Sequence, residues 1–350
     1  MKRVINFGMG RIHSASRWLR KKMSNTALIL LYHRVADAPA DPQLLCVSPS
    51  HFAEHLEVLR KYAHPISLQQ LTDALRVGHI PPRAVVITFD DGYVDNITNA
   101  KPLLAQADVP ATVFVTTDYI GQMREFWWDE LERLLLQPNT LPQKLSLKVA
   151  GELQEWALGK ATTYSKEEHE RYRSWSVLEP TDPTPRHTIY RGLHRQLLGL
   201  SGQEIAASLQ TLQQQSGQGT KARPTHRPMK PEEIVQLAEG GLVEVGAHTI
   251  THPNLATLPI AAQLTEIERS KTELETILGR SLSSFSYPFG TQASYTPKTV
   301  ALVREIGFSC ACANFPDVVW KRCDRYQLPR IVVRDWNGDE FAERLRGLLT

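Results

Sequence analysis

The chain has 350 residues, 42% of them hydrophobic and 22% charged, with a formal net charge of +3. That length holds a large core, as one α/β barrel or as two smaller domains, and the composition is that of an ordinary globular protein. Charge is uneven: residues 1–24 carry Lys2, Arg3, Arg11, Arg17, Arg20, Lys21 and Lys22 and no acid, so the remainder is −4 (3 minus 7), an acidic body with no aromatic-basic module, which excludes specific nucleic-acid binding.

Val4, Ile5, Phe7, Met9, Ile12, Trp18 and Leu19 are mixed among those basic residues, giving a basic amphipathic tail that suits the surface of an anionic membrane as well as plain solvent. No apolar signal core follows it. The first apolar run, Ala27–Tyr32, is far short of the roughly 20 residues of a spanning helix. The expectation is a cytoplasmic protein, peripheral at most, at the inner face of the cytoplasmic membrane. Cys46, Cys310, Cys312 and Cys323 lack the spacing of a zinc pattern and read as core thiols in a reducing compartment.

Ala27–Tyr32 reads as a first strand that delivers His33 and Arg34 at its end. Ser48-Pro49 and Ser67 are helix starts, followed by Phe52, Leu56, Leu59 and by Leu68, Leu71, Leu75 at helical spacing. Ala84–Phe89 is a β-branched apolar run between Pro81-Pro82 and Gly92, a strand buried on both faces, and it ends on adjacent carboxylates, Asp90 and Asp91. A helix over 95–107 and a strand over 111–116 follow. Residues 123–228 change character: Phe126-Trp127-Trp128 opens a helix to Leu136, then comes a polar stretch with scattered helices, and Gln213–Pro228 reads as a loose connection. The stretch looks like a long insertion between two barrel strands, lying over their ends, with the paired tryptophans pinning it to the barrel more than stacking on a bound ring.

Barrel rhythm resumes at Pro231. Strand 242–247 leads to His248 and His252, and Pro253 disfavours helical angles at His252, so both imidazoles fall on a loop at a strand end. A long amphipathic helix stops at Gly279, Ser284–Tyr287 is a strand, Thr296-Pro297 starts a helix, Phe308–Ala313 is a strand and Leu328–Val333 a seventh. Strands alternating with helices favour a parallel barrel, whose chemistry sits at the C-terminal strand ends. Two neighbouring buried carboxylates need a cation or several donors, and two histidines with one carboxylate form a catalytic metal set. The residues alone do not say which aspartate is the ligand.

With Thr88-Phe89-Asp90-Asp91-Gly92-Tyr93, His248-Thr249-Ile250-Thr251-His252 and Ser284–Gly290 in this order, the chain resembles the polysaccharide deacetylases (NodB-like carbohydrate esterases) over roughly 26–122 and 229–335. The resemblance implies a distorted seven-stranded (β/α) barrel, here residues 25–350 interrupted by a mostly helical insertion at 123–228 and preceded by the tail 1–24. It implies a divalent metal, Zn²⁺ first and Co²⁺ or Ni²⁺ next, held by Asp91, His248 and His252, with Asp90 as base and the Phe289 amide as oxyanion donor. Many members place an arginine where this chain has Ser286, and Arg330 is the candidate replacement as partner of Asp90. Members usually donate the leaving-group proton from a C-terminal histidine, yet no histidine follows His252. Tyr32-His33 matches the first-strand motif of some exopolysaccharide deacetylases, so His33 takes the acid role, with a pKa expected near neutrality. Asp335-Trp336 is only faintly like the fourth motif.

The implied activity is removal of N-acetyl groups from amino sugars of a polysaccharide or its glycolipid or oligosaccharide precursor. Removal of formyl, a carbohydrate-binding homologue of weak turnover, and a two-carboxylate glycosidase that would leave the histidines idle are the alternatives. Oligomeric state is not legible.

Overall fold

A computed structural model describes residues 25–219 and 222–349, so the basic tail lies outside the described residues. Six parallel strands run β1 (Ala27–Tyr32), β2 (Ala84–Phe89), β3 (Ala111–Val115), β4 (Val243–Ala247), β5 (Ser284–Ser286) and β6 (Cys310–Cys312), each hydrogen-bonded to the next. The seventh side is one segment that serves two neighbours. Leu328 bridges Cys312 of β6, and β7 (Ile331–Val332) pairs with Leu30 and Leu31 of β1. A strand this short closes the ring with little pairing, which is the distortion the resemblance implied, and the fold is the expected parallel (β/α) barrel.

Both faces of these strands are buried, which is why they read as unbroken apolar runs rather than alternating ones. Ala27, Ile29, Ala84, Val86, Phe114 and Cys312 face inward with Leu328. Leu28, Leu30, Val85 and Ile87 face outward onto helices α1 (Pro49–Tyr62) and α3 (Lys101–Ala107) and the rest of the outer layer. Ser48 and Ser67 cap α1 and α2 (Leu68–Val77), the latter in a full capping box with Gln70. The helix expected over 95–107 begins instead as a π turn, Asn96–Ala100, before α3. Pro102 has no N–H to give the preceding turn, so the ladder is re-laid there.

The insertion carries α4 (Trp127–Leu136), α5 (Lys166–Tyr172), α6 (Pro185–Leu197) and α7 (Gly202–Ser216). It also holds a β-hairpin the sequence reading missed, Lys144–Val149 against Glu152–Ala157, turning at Ala150 and Gly151 with φ of 53° and 86°. Its apolar side chains form their own cluster, joined to the barrel by Tyr93 and Tyr119. Part of the segment 213–228, expected to be a loose connection, is anchored: α7 runs on to Ser216, and Arg223 forks onto Glu125 and reaches Glu132, while residues 220 and 221 lie outside the described residues. Val94 N–H donates to Arg227 O and Met229 N–H to Gly92 O, tying the segment's end to the second-strand motif.

The outer layer is completed by α8 (Pro231–Ala238), α9 (Ile260–Leu278), α10 (Pro297–Glu305) and α11 (Gly338–Leu349). Gly279 ends α9 in the left-handed region, as expected. No helix among the described residues is long and apolar enough to cross a membrane. Cys46, Cys310 and Cys312 are buried free thiols.

Candidate active site

Strand ends bring the site together. β2 ends on Asp90 and Asp91, β4 on the loop with His248 and His252, β5 on Tyr287–Gly290, and β1 on His33. Asp91, Thr249, His252 and Phe289 all have left-handed backbones, with φ of 76°, 64°, 60° and 59°. Such conformations cost side-chain-bearing residues roughly 1–3 kcal/mol each and persist where the surroundings hold them. The holders are visible. Thr249 Oγ1 accepts from His252 N–H, and the Glu266 carboxylate on α9 accepts from the Ile250 and Thr251 amides and the Thr251 hydroxyl. Gly92 has φ 86° and a Cβ there would meet Val115 at 3.1 Å, so the tight turn after the two aspartates needs glycine.

Asp91 Oδ1 lies 3.4 Å from His252 Nε2 and 3.7 Å from His248 Nε2, and one ligand atom from each residue falls within 4.8 Å of the others. His248 Nδ1 is 2.8 Å from the Ser286 carbonyl, an acceptor only, so Nδ1 carries the proton and Nε2 turns its lone pair toward the carboxylates. Burial keeps both imidazoles below their ordinary pKa, so they are neutral, the form a metal binds. Burial, and then the Asp90 charge, push the Asp91 carboxyl well above its ordinary value. His252 Nδ1 is buried without a hydrogen-bond partner among the described residues. A buried carboxylate without a cation, facing two neutral imidazoles, fits a divalent ion of the zinc class.

Asp90 is served differently. Arg330, 1% exposed, places two nitrogens 2.7 Å from its two oxygens. Burial alone would raise the Asp90 carboxyl, but the guanidinium outweighs it and holds the carboxyl well below the carboxylate range. Ser286 Oγ, at the position where the resemblance implied an arginine, accepts from Arg330 at 2.9 Å and sits 3.3 Å from Asp90 Oδ2. Arg330 is also tied to the Ala313 carbonyl and Thr88 Oγ1, which fixes the fork.

His33 and Phe289 line the same cavity of about 480 Å³ as Asp90, Asp91, His248 and His252. The His33 backbone is buttressed from the π turn: Asn96 donates to the His33 carbonyl at 2.9 Å, Asn99 to Val35 O at 2.7 Å, and Asp95 accepts from Val35 N–H and Arg34. The near-neutral pKa expected of His33 is not found. Burial pushes the imidazole down to about 4, only partly offset by the Asp90 charge.

Two contributions escaped the sequence reading. Trp128 does pin the insertion, but its ring also stands edge-on to His252 at 5.0 Å and walls the cavity. It is oriented by Tyr93, whose hydroxyl accepts from Trp128 Nε1 at 2.8 Å and donates to Asp129 at 2.6 Å. Burial raises the Asp129 carboxyl to about 7. His194 and Leu198, at the end of α6, close the same wall. Adjacent aromatics at the head of a helix were the available signal for Trp128; nothing local marked His194.

A family model described as polysaccharide deacetylase matches residues 78–142 and 200–311, about half of the chain. The poly-β-1,6-N-acetyl-D-glucosamine N-deacetylase of Escherichia coli (strain K12) is 36% identical over 89 residues, covering 25% of this chain. This chain spans only 13% of that relative's length. Among solved structures, the Streptococcus pyogenes deacetylase PplD, in complex with acetate, superposes with a TM-score of 0.57 at 16% identity, covering 94% of this chain and 100% of that one. IcaB from Ammonifex degensii superposes with a TM-score of 0.56 at 17% identity, covering 93% and 98%. At these identities the superpositions speak to the fold alone.

Proposed function

The chain belongs to the polysaccharide deacetylase family, and we propose that it is a divalent-metal-dependent hydrolase that removes N-acetyl groups from amino sugars of a polysaccharide or its glycolipid or oligosaccharide precursor. The observation that carries this reading is the division of labour between two adjacent carboxylates. Asp90 is neutralised by Arg330, while Asp91 is left to two neutral imidazoles.

An amide resists hydrolysis because water is a poor nucleophile and an amine a poor leaving group. When bound to Asp91, His248 and His252, a zinc-class ion supplies acidified water and a polarised carbonyl. Asp90 is the acceptor for the proton that water loses. Its Arg330 fork keeps it ionised and aimed, though a weak base, so the transfer advances only as the attacking oxygen commits to the carbonyl. The Phe289 amide is the backbone donor for the developing oxyanion. His33 donates to the departing amine. Its depressed pKa leaves it neutral in the resting site, so the proton it gives is the one the water lost: that proton leaves Asp90, which returns to carboxylate, and passes through the His33 imidazole to the amine nitrogen.

The basic charge of residues 1–24 supports a peripheral position at the cytoplasmic face of an anionic membrane; fractionation that finds the protein elsewhere would overturn that placement. The function itself is tested by acid release from N-acylated glucosamine oligomers with zinc-loaded protein. Acetate is expected, and Asp90→Asn should lose the release while keeping one metal per chain. Formate in place of acetate would make it a deformylase. Oligosaccharide binding without any acid would make it a binding protein.

A further inference from the structure

We infer that Arg334 is an anion-recognising residue of the catalytic cavity, and that the sugar deacylated there carries a carboxylate or phosphate near its acylated nitrogen. The inference rests on the deacetylase reading above and narrows its substrate class.

Arg330 and Arg334 flank β7, four residues apart, and are used in opposite ways. Arg330 spends its fork on Asp90. Arg334 is half-buried, lines the catalytic cavity, and uses one terminal nitrogen, Nη1, on the Leu44 carbonyl and, at 3.5 Å, the Gln43 carbonyl. Among the described residues its Nε and Nη2 meet no acceptor, and no carboxylate forms an ion pair with it.

The acids nearest in sequence and space are committed elsewhere. Asp335 turns away to the Ser48 amide, the Ser48 hydroxyl and His51. Asp41 is the acid whose charge reaches Arg334, but its two oxygens accept from the Leu45 and Cys46 amides at 3.0 and 2.7 Å and it forms no direct ion pair with the guanidinium. That same Asp41 clamp holds Leu44 left-handed, at φ 57°, and it is the Leu44 carbonyl that fixes Arg334. Gln43 is in turn tied to Tyr190 of the insertion at 2.8 Å. The guanidinium is therefore positioned from both the barrel and the insertion, with part of its planar fork unspent.

A partly desolvated cation is costly without an opposite charge, and an unspent guanidinium edge matches the two oxygens of a carboxylate or phosphate. The charges of Asp90, Asp91, Arg330 and Arg334 sum to zero and Asp41 beside Arg334 adds at most one negative charge, so a divalent ion would still leave the site net positive, a field that favours an anionic sugar over a neutral one. A residue that served only to staple the 43–44 loop would leave no such preference.

The test compares N-acetylglucosamine, N-acetylglucosamine 1-phosphate and N-acetylglucosaminuronate by calorimetry on the metal-free protein, and then by acetate release from the zinc-loaded enzyme. One or both anionic sugars should bind about tenfold or more tightly than the neutral one, the size of a charge-assisted hydrogen bond. The phosphate and carboxylate arms decide between the two sources. Arg334→Gln should erase that ratio, Arg334→Lys should restore part of it, and added salt should compress it in the unaltered protein. Equal binding of all three sugars, or a uniform loss for all three in Arg334→Gln, would overturn the inference. Acetate released without anion preference sinks this inference and spares the deacetylase reading. Anion-selective binding with no acetate from any sugar does the reverse.

Discussion

The barrel end and the insertion meet over one cavity but are built on different terms. The barrel supplies every group assigned to chemistry, each within a few residues of a strand end. The insertion, with an apolar core of its own, supplies shape: Trp128, His194 and Leu198 wall the cavity. The family model matches the ends of the insertion, Trp128 included, and passes over 143–199, where His194 and Leu198 lie. Tyr93 couples the two, since it belongs to the second-strand motif yet packs in the insertion's core and orients Trp128. Chemistry on the barrel and selectivity on the insertion is the division this predicts.

The strongest way to break that division is to exchange a barrel ligand and an insertion wall. Asp91→Asn should empty the metal site and cut acid release by about 10³-fold or more, because acidified water is lost. Trp128→Ala should cost on the order of tenfold, mostly through KM, with metal content unchanged. Equal losses in kcat from both would put the insertion in the chemistry.

Stability separates the regions next. Arg330→Met leaves Asp90 buried and unpaired and should cost about 3–5 kcal/mol by denaturant titration. Arg223→Met in the insertion strips a partner from Glu125 and Glu132, but Arg133 remains 3.7 Å from Glu125. Its cost should be smaller, about 1–3 kcal/mol.

The mildest contrast comes from pH. Burial lowers His187 and His194 to about 4 and His226 to about 2 in the insertion, against His33 and His55, both about 4, in the barrel. Lowered imidazole values mean the unfolded chain binds more protons, so stability is full above about 6.5 and falls as pH drops toward 4. Asp129 works the other way, its raised carboxyl losing stability as pH climbs toward 7. Counting His248 and His252, four of these lowered histidines lie in the barrel and three in the insertion, so tryptophan fluorescence and far-ultraviolet dichroism should respond over the same acid range. Coincident midpoints would show one cooperative unit.

What the sequence disclosed follows the same boundary. Strands buried on both faces announce themselves by composition, and Asp90, Asp91, His248 and His252 lie beside them in motifs short enough to read. Arg330 was reachable only by asking what replaced an arginine at Ser286. The hairpin at 144–157 carried alternating Leu145, Leu147 and Val149 and an Ala-Gly turn, a signal present but read as scattered helix. Glu266, Asn96 and Asn99 act through contacts with residues distant along the chain, which no local pattern encodes. The low His33 pKa is likewise a property of burial, which spacing does not report.

The most direct test is a crystal of the zinc-loaded protein measured on both sides of the zinc absorption edge. The anomalous difference should show one peak, within bonding distance of Asp91, His248 and His252, with Asp90 still forked by Arg330. A peak on Asp90 instead, or none among these four side chains, would contradict it.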